Sequence, residues 1–147
     1  MPDFSIDPKE LEKLLNYCIG FAQQMTEKHG EFHPFAAAID SIGQHIAIGG
    51  YTGNELPAGS DVYSLLQKSL RSQFQNKEIV AAAIAANVNI PAQFKSPYPD
   101  GIRVHLECSG FSRLFYLPYR ISGGHMEYSE FITVDVPPNI CSGAKHA

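Results

Sequence analysis

Apolar side chains recur at helical spacing through the first thirty residues: Leu11, Leu14, Leu15, Cys18, Ala22 and Met25. The flanks fit a helix over about Pro8 to His29. Asp7 takes the N-cap, Pro8 the first helical position and Glu10 the third, an acidic form of the capping box. Ile6 and Leu11 can close a hydrophobic staple across it. Lys28 and His29 put cations at the negative end of the helix dipole, and Gly30 can take a positive φ. A second helical stripe, Val62, Leu65, Leu66, Leu70 and Phe74, follows Ser60, which reads as its N-cap, and runs to a stop at Asn76.

The period changes between and after these helices. Phe35–Ile39 and His45–Gly49 flank a turn built from Asp40, Ser41 and Gly43, which predicts a β-hairpin. Three alanines in its first arm suit close approach of a helix. Ile79 to Ile90 reads as a strand, with a helix over Ala81–Ala86 as the alternative that alanine content allows. Pro91 to Asp100, with three prolines, is a loop long enough to carry function. Ile102, Val104 and Leu106 alternate with Arg103, His105 and Glu107. Turns at Ser109-Gly110 and Gly123-Gly124 then separate a returning strand, Leu114 to Ile121, from a last strand, His125 to Val136.

The expected fold is α+β: an approximately five-stranded, mostly antiparallel sheet with two amphipathic helices in the order αββαβββ. It forms one domain over residues 1–147, with an ordered core over about 6–136 and a mobile tail at 137–147. That order is similar to the roadblock, longin and profilin-like sandwiches.

Parity across the two turns sorts the meander into faces. A core face collects Ile102, Val104, Leu106, Phe115, Leu117, Tyr119, Ile132 and Val134. The opposite face carries Arg103, His105, Glu107, Leu114, Tyr116, Arg120, Glu127, Phe131 and Thr133. Left open to water, Leu114, Tyr116 and Phe131 would form an apolar patch of the kind partners use. Glu130 falls by parity on the core face, where a bulge or an edge position would release it.

Composition narrows the class. The 147 residues are 44% hydrophobic and 18% charged, enough apolar surface for one core and too much for disorder. A net charge of −4 argues against a nucleic-acid or anionic-membrane partner. No apolar run approaches the length of a membrane span, and no signal peptide is visible. Cys18, Cys108 and Cys141 are an odd set without CxxC spacing, which suits three free thiols in a reducing cytoplasm.

Candidate chemistry is sparse. His105 and Glu107 share a strand face and could supply two metal ligands, with His125 reaching them through the meander; a site needs at least three, so no metal or cofactor is expected. Cys108 and His105 point to opposite faces and cannot pair as a dyad. No GxSxG elbow, P-loop or GxGxxG occurs, and an anion site at the Ser60 helix start is opposed by Asp61.

The segment Gly30–Ala36, the turn Asp40 to Gly43, Leu106-Glu107 and Leu117-Pro118-Tyr119-Arg120 together resemble a family of small bacterial proteins of unknown function, over roughly Leu11 to Val136. The resemblance implies a one-domain cytoplasmic protein and carries no activity. Pro34-Phe35-Ala36 also looks like the start of a nucleoside-deaminase core, but the zinc-binding His/Cys-x-Glu and Pro-Cys-x-x-Cys motifs are absent.

Two functions remain in view. One is a non-enzymatic protein-interaction module, acting on a protein partner or as a homodimer, with Tyr17 and Phe21 on the first helix and Leu114 and Phe131 on the meander as its face. The other is a small-molecule or hydrolytic site built from Arg103, His105, Glu107 and Tyr116, lidded by the Pro91–Asp100 loop.

Overall fold

A computed structural model describes residues 6–48 and 59–141. The Gly49–Ala58 glycine-rich segment and the last six residues lie outside that range, as does the side chain of Ser60. Helix α1 spans Pro8–His29 and helix α2 Gly59–Gln75. The strands are β1 (Phe35–Asp40), β2 (His45–Ile48), β3 (Ile79–Asn89), β4 (Asp100–Cys108), β5 (Phe111–Ser122), β6 (His125–Tyr128) and β7 (Ile132–Asp135). Every described pairing is antiparallel, in the order β2-β1-β3-β4-β5, and both β6 and β7 lie on the outer edge of β5. The class is α+β as expected. Among the described residues the sheet has seven strands where about five were expected: four strand segments follow α2 where the expected order has three, and the last of those segments, His125 to Val136, is itself two strands. None of the described helices is long and apolar enough to cross a membrane.

Helix α1 starts and stops where its caps predict. Asp7 Oδ1 accepts from the Lys9 N–H at 2.9 Å, and Gly30, at φ 80°, donates its N–H to Thr26 O at 2.7 Å. The capping box itself does not close. The Glu10 carboxylate binds Lys13 Nζ at 3.1 Å and His45 Nε2 at 2.8 Å, tying the start of α1 to β2. Helix α2 begins at Gly59, so Ser60 sits inside it and is not the cap. Leu65, expected in its buried stripe, is 56% exposed, whereas Val62, Leu66 and Leu70 are buried.

Residues 79–90 are strand, not helix, and pair on both sides: Ala83 lies opposite Ala37 of β1 and Leu106 of β4. The alanines explain how one sheet takes a helix on each face. Ala37, Ala81, Ala83 and Ala85 lie under α1, in the cluster with Leu14, Cys18 and Ala22. Ala36, Ala38 and Ala82 lie under α2, in the cluster with Val62, Leu66 and Leu70. Methyl groups on both sides leave no gap that a longer side chain would have to fill. The protein is therefore a helix–sheet–helix sandwich, and the second face of the meander is not an open surface.

The turn registers hold at Ser109-Gly110, where Ile102 pairs with Leu117, and at Gly123-Gly124, where Tyr119 pairs with Tyr128 and Arg120 with Glu127. Both glycines of the second turn have positive φ, the requirement of a type I′ hairpin. Beyond Tyr128 the register slips. Tyr116 pairs with Ile132, so Leu117 and Pro118 oppose three residues, Ser129, Glu130 and Phe131. This is a bulge, fixed by the Ser129 N–H donating to Pro118 O at 3.0 Å. It exchanges the faces expected for β7. Ile132 and Val134 fall on the α2 side, opposite Tyr116 and Leu114, while Thr133 joins Phe115 on the α1 side. Glu130 is exposed within the bulge, which answers the parity conflict it raised.

The first residues of the segment expected as a tail lie on the α2 face. Residues 137–141 return across the α2 face, and Ile140 and Cys141 are buried in its cluster.

Candidate functional site

Arg103, His105 and Glu107 form one row on the α2 face of β4, opposite Tyr116, Leu114 and Ser112 of β5. The two ends of this row do different work.

At the Glu107 end the side chain is fully buried. Its carboxylate accepts the backbone N–H groups of Asn139 at 2.8 Å and of Ile140 and Cys141 at 2.9 Å each. His105 Nε2 lies 2.9 Å from Glu107 Oε2. Burial pushes the Glu107 carboxyl up, but His105 and the three N–H donors outweigh it and hold it below its ordinary value. Residues 139–141 are thus strapped to the sheet by a buried anion.

Ser112 completes what resembles a serine–histidine–acid set, and the geometry shows why it is not one. Ser112 Oγ lies 3.0 Å from His105 Nε2, the same nitrogen that meets Glu107. A relay needs the hydroxyl and the acid on opposite ring nitrogens. The Ser112 hydroxyl donates instead toward Pro137 O at 3.4 Å, within the strap. The cysteines are no better placed as nucleophiles. All three are buried, and burial pushes Cys18 up to about 12 and Cys108, also beside Glu107, up to about 11. Nor does His125 approach the row. It pairs with Ser122 while His105 pairs with Leu114, eight residues along β5 or about 27 Å at strand rise. Among the described residues no group of three His, Cys, Asp or Glu side chains could hold a metal ion.

At the Arg103 end the chain opens a cavity of about 610 Å³. Strand β1 begins at Phe35 opposite Ala85, so Ala86, Asn87 and Val88 of β3 have no strand on that side. The connector Glu31–Pro34 swings away there, and Tyr63 and Ser64 of α2 form the opposite wall. Arg103 brings a permanent cation to the lining. Its guanidinium sits 5.1 Å from the centre of the Tyr63 ring, and its Nε is buried without a hydrogen-bond partner. An unsatisfied donor of this kind costs about 1–3 kcal/mol, more on a charged group, and is rare in native interiors. A smaller hollow of about 340 Å³ on the other side of Arg103 reaches His105, Leu114 and Asn139.

Tyr116, the cross-strand neighbour of Arg103, shares this face as parity predicts but does not line the cavity. It is buried, and Phe94 of the 3-10 turn Ala92–Phe94 packs on it with ring centres 5.5 Å apart. The Pro91–Asp100 loop therefore covers Tyr116 and, through Tyr98 under Arg120 at 5.1 Å, clamps onto β5. It contributes nothing to the lining of the Arg103 cavity.

The residues expected to form one interaction face are divided. Leu114 is half-buried on the α2 side, and Phe131 lies on the other side, with its ring 6.3 Å from that of Phe115. Tyr17 and Phe21 are exposed together on α1, stacked at 6.3 Å, with Phe21 edge-on to Phe35 at 4.9 Å. Tyr63, Asn87, Ser112 and the 139–141 strap were not singled out from the sequence. Tyr63 could have been, because it stands three and seven residues before Leu66 and Leu70 on one helical face.

No family model, no curated protein and no solved structure matches this chain.

Proposed function

We propose that the protein is a small-molecule-binding domain whose ligand carries an anionic group that sits on Arg103. The observation that supports this reading is Arg103 itself, a lining residue of a cavity of about 610 Å³ whose Nε is buried without a hydrogen-bond partner. That volume lies in the usual range for small-ligand sites, and the mixture of Phe32, Pro34, Tyr63 and Val88 with a few polar groups is the usual lining. The His105–Glu107 pair has a structural duty in holding the strap, so the reading is one of binding without hydrolysis. Three unpaired cysteines favour a cytoplasmic location. A thermal-shift screen of small carboxylates and phosphates, run on wild type and Arg103→Met, tests it. Stabilisation by at least one class, lost in the variant, is expected; stabilisation that survives Arg103→Met would place binding elsewhere and contradict the reading.

A second reading, self-association or a protein partner on the outer side of α1, is favoured by the exposed Tyr17–Phe21 stack. Sedimentation of wild type against a Tyr17→Ser/Phe21→Ser variant tests it, and a monomer at high micromolar concentration in both would remove the homodimer.

A further inference from the structure

Among the described residues, the lining of the Arg103 cavity carries a carboxylate, Glu31, and a guanidinium, Arg103, that form no ion pair with each other. The ion pairs among the described residues are Lys13–Glu10, His45–Glu10, His105–Glu107, Arg113–Asp135 and Arg120–Glu127. Neither Arg103 nor Glu31 belongs to any of them, although both face this one cavity. Opposite charges that share a concave surface without pairing keep their fields available to whatever enters it.

The surrounding groups give that pair a polarity. On the Glu31 side, the Tyr119 phenol is pushed up by burial and by the negative charges of Asp100 and Glu31, against the pull of its hydrogen bond to Asn87. Tyr119 donates that hydrogen bond to Asn87 Oδ1 at 2.8 Å, which fixes the amide on the cavity wall. On the Arg103 side, Tyr63 lies under the guanidinium, whose Nε is buried without a hydrogen-bond partner. Phe32 and Val88 add apolar surface to the same lining.

We propose that the ligand is a zwitterion of the amino-acid type, with its carboxylate on Arg103 and its ammonium group toward Glu31, and with an apolar side chain against Phe32 and Val88. This rests on the assignment of the cavity as a ligand site and narrows the class of ligand. A single carboxylate matches the two-pronged edge of a guanidinium. A phosphate would gain the same contact, but its second charge would face Glu31 with nothing to offset it. A lone amine would meet Glu31 and leave the Arg103 donor unpaired. Only a molecule carrying both charges satisfies both walls.

Calorimetric titration of the full chain with four compounds that share one ring separates these cases: L-phenylalanine, 3-phenylpropionate, phenethylamine and phenyl phosphate. L-Phenylalanine is expected to bind, with affinity lower by about tenfold or more for each compound lacking one of the two charges. Glu31→Gln is expected to weaken L-phenylalanine by about tenfold and to leave 3-phenylpropionate unchanged or slightly tighter. Arg103→Met is expected to abolish both, with far-ultraviolet circular dichroism confirming that each variant is folded. If 3-phenylpropionate or phenyl phosphate binds as tightly as L-phenylalanine and Glu31→Gln changes nothing, the zwitterion assignment is overturned while Arg103 stands as an anion site. If none of the four binds, the ligand site itself is overturned.

Discussion

The Glu107 carboxylate accepts the backbone N–H of Ile140 at 2.9 Å, thirty-three residues along the chain. With the neighbouring N–H groups of Asn139 and Cys141 and with His105, it makes residues 139–141 part of the α2-side core. Replacing it by glutamine removes the charge and offers a donor where three donors already point. Glu107→Gln should cost about 2–4 kcal/mol in urea denaturation. In a chain ending at Pro138 the same substitution should cost much less, because its partners are gone. Equal costs in the two backgrounds would show that the strap and the carboxylate are not coupled.

The strap also sets an acid limit. Glu107 is held below its ordinary carboxyl value in the folded protein, because His105 and the three N–H donors outweigh burial. Its contribution is complete above the unfolded-state value of about 4.5 and is lost as pH falls through the lower folded-state value. Melting temperature followed from pH 7 to pH 3 should therefore fall more steeply in wild type than in Glu107→Gln below pH 4.5. Parallel curves would mean that Glu107 takes no part in acid unfolding.

Neighbouring leucines of α2 should behave as opposites. Leu66 is buried at 2% exposure and Leu65 is 56% exposed. Leu66→Ala should cost about 2–5 kcal/mol, and Leu65→Ala should stay within about 0.5 kcal/mol. Comparable losses would place both in the core and rotate the helix from its described face.

Native thiol chemistry should be silent. Cys18, Cys108 and Cys141 are buried, and burial pushes each thiol up. An aromatic disulfide reagent at pH 8 should label none of the three until denaturant is added. Rapid labelling of one thiol in the native protein would reveal local opening at that position.

What could be read from the chain, and what could not, divides along the range of the interactions. The caps of α1, the turn at Asp40 and the registers set by Gly110 and by Gly123-Gly124 are local, and they appear where the residues put them. The row of Arg103, His105 and Glu107 on one face was legible for the same reason: strand parity is a two-residue rule. The bulge at Ser129–Phe131 was not, because a single extra residue reverses the parity of everything beyond it. The burial of that row was missed because its cover comes from far along the chain. The strap is held by backbone N–H groups, which no side-chain pattern announces, and Arg103 is covered by Tyr63, forty residues away.

The most direct test of the Arg103 site is the Nε–H resonance of that side chain, followed by two-dimensional NMR as L-phenylalanine or 3-phenylpropionate is added. Pairing of the guanidinium, through its unpartnered Nε, with a carboxylate should move this resonance strongly downfield, together with the backbone signals of Ala86, Asn87 and Val88, and the shifts should vanish in Arg103→Met. An Arg103 resonance that stays in place at saturating concentrations of both compounds would contradict the assignment of this cavity as the ligand site.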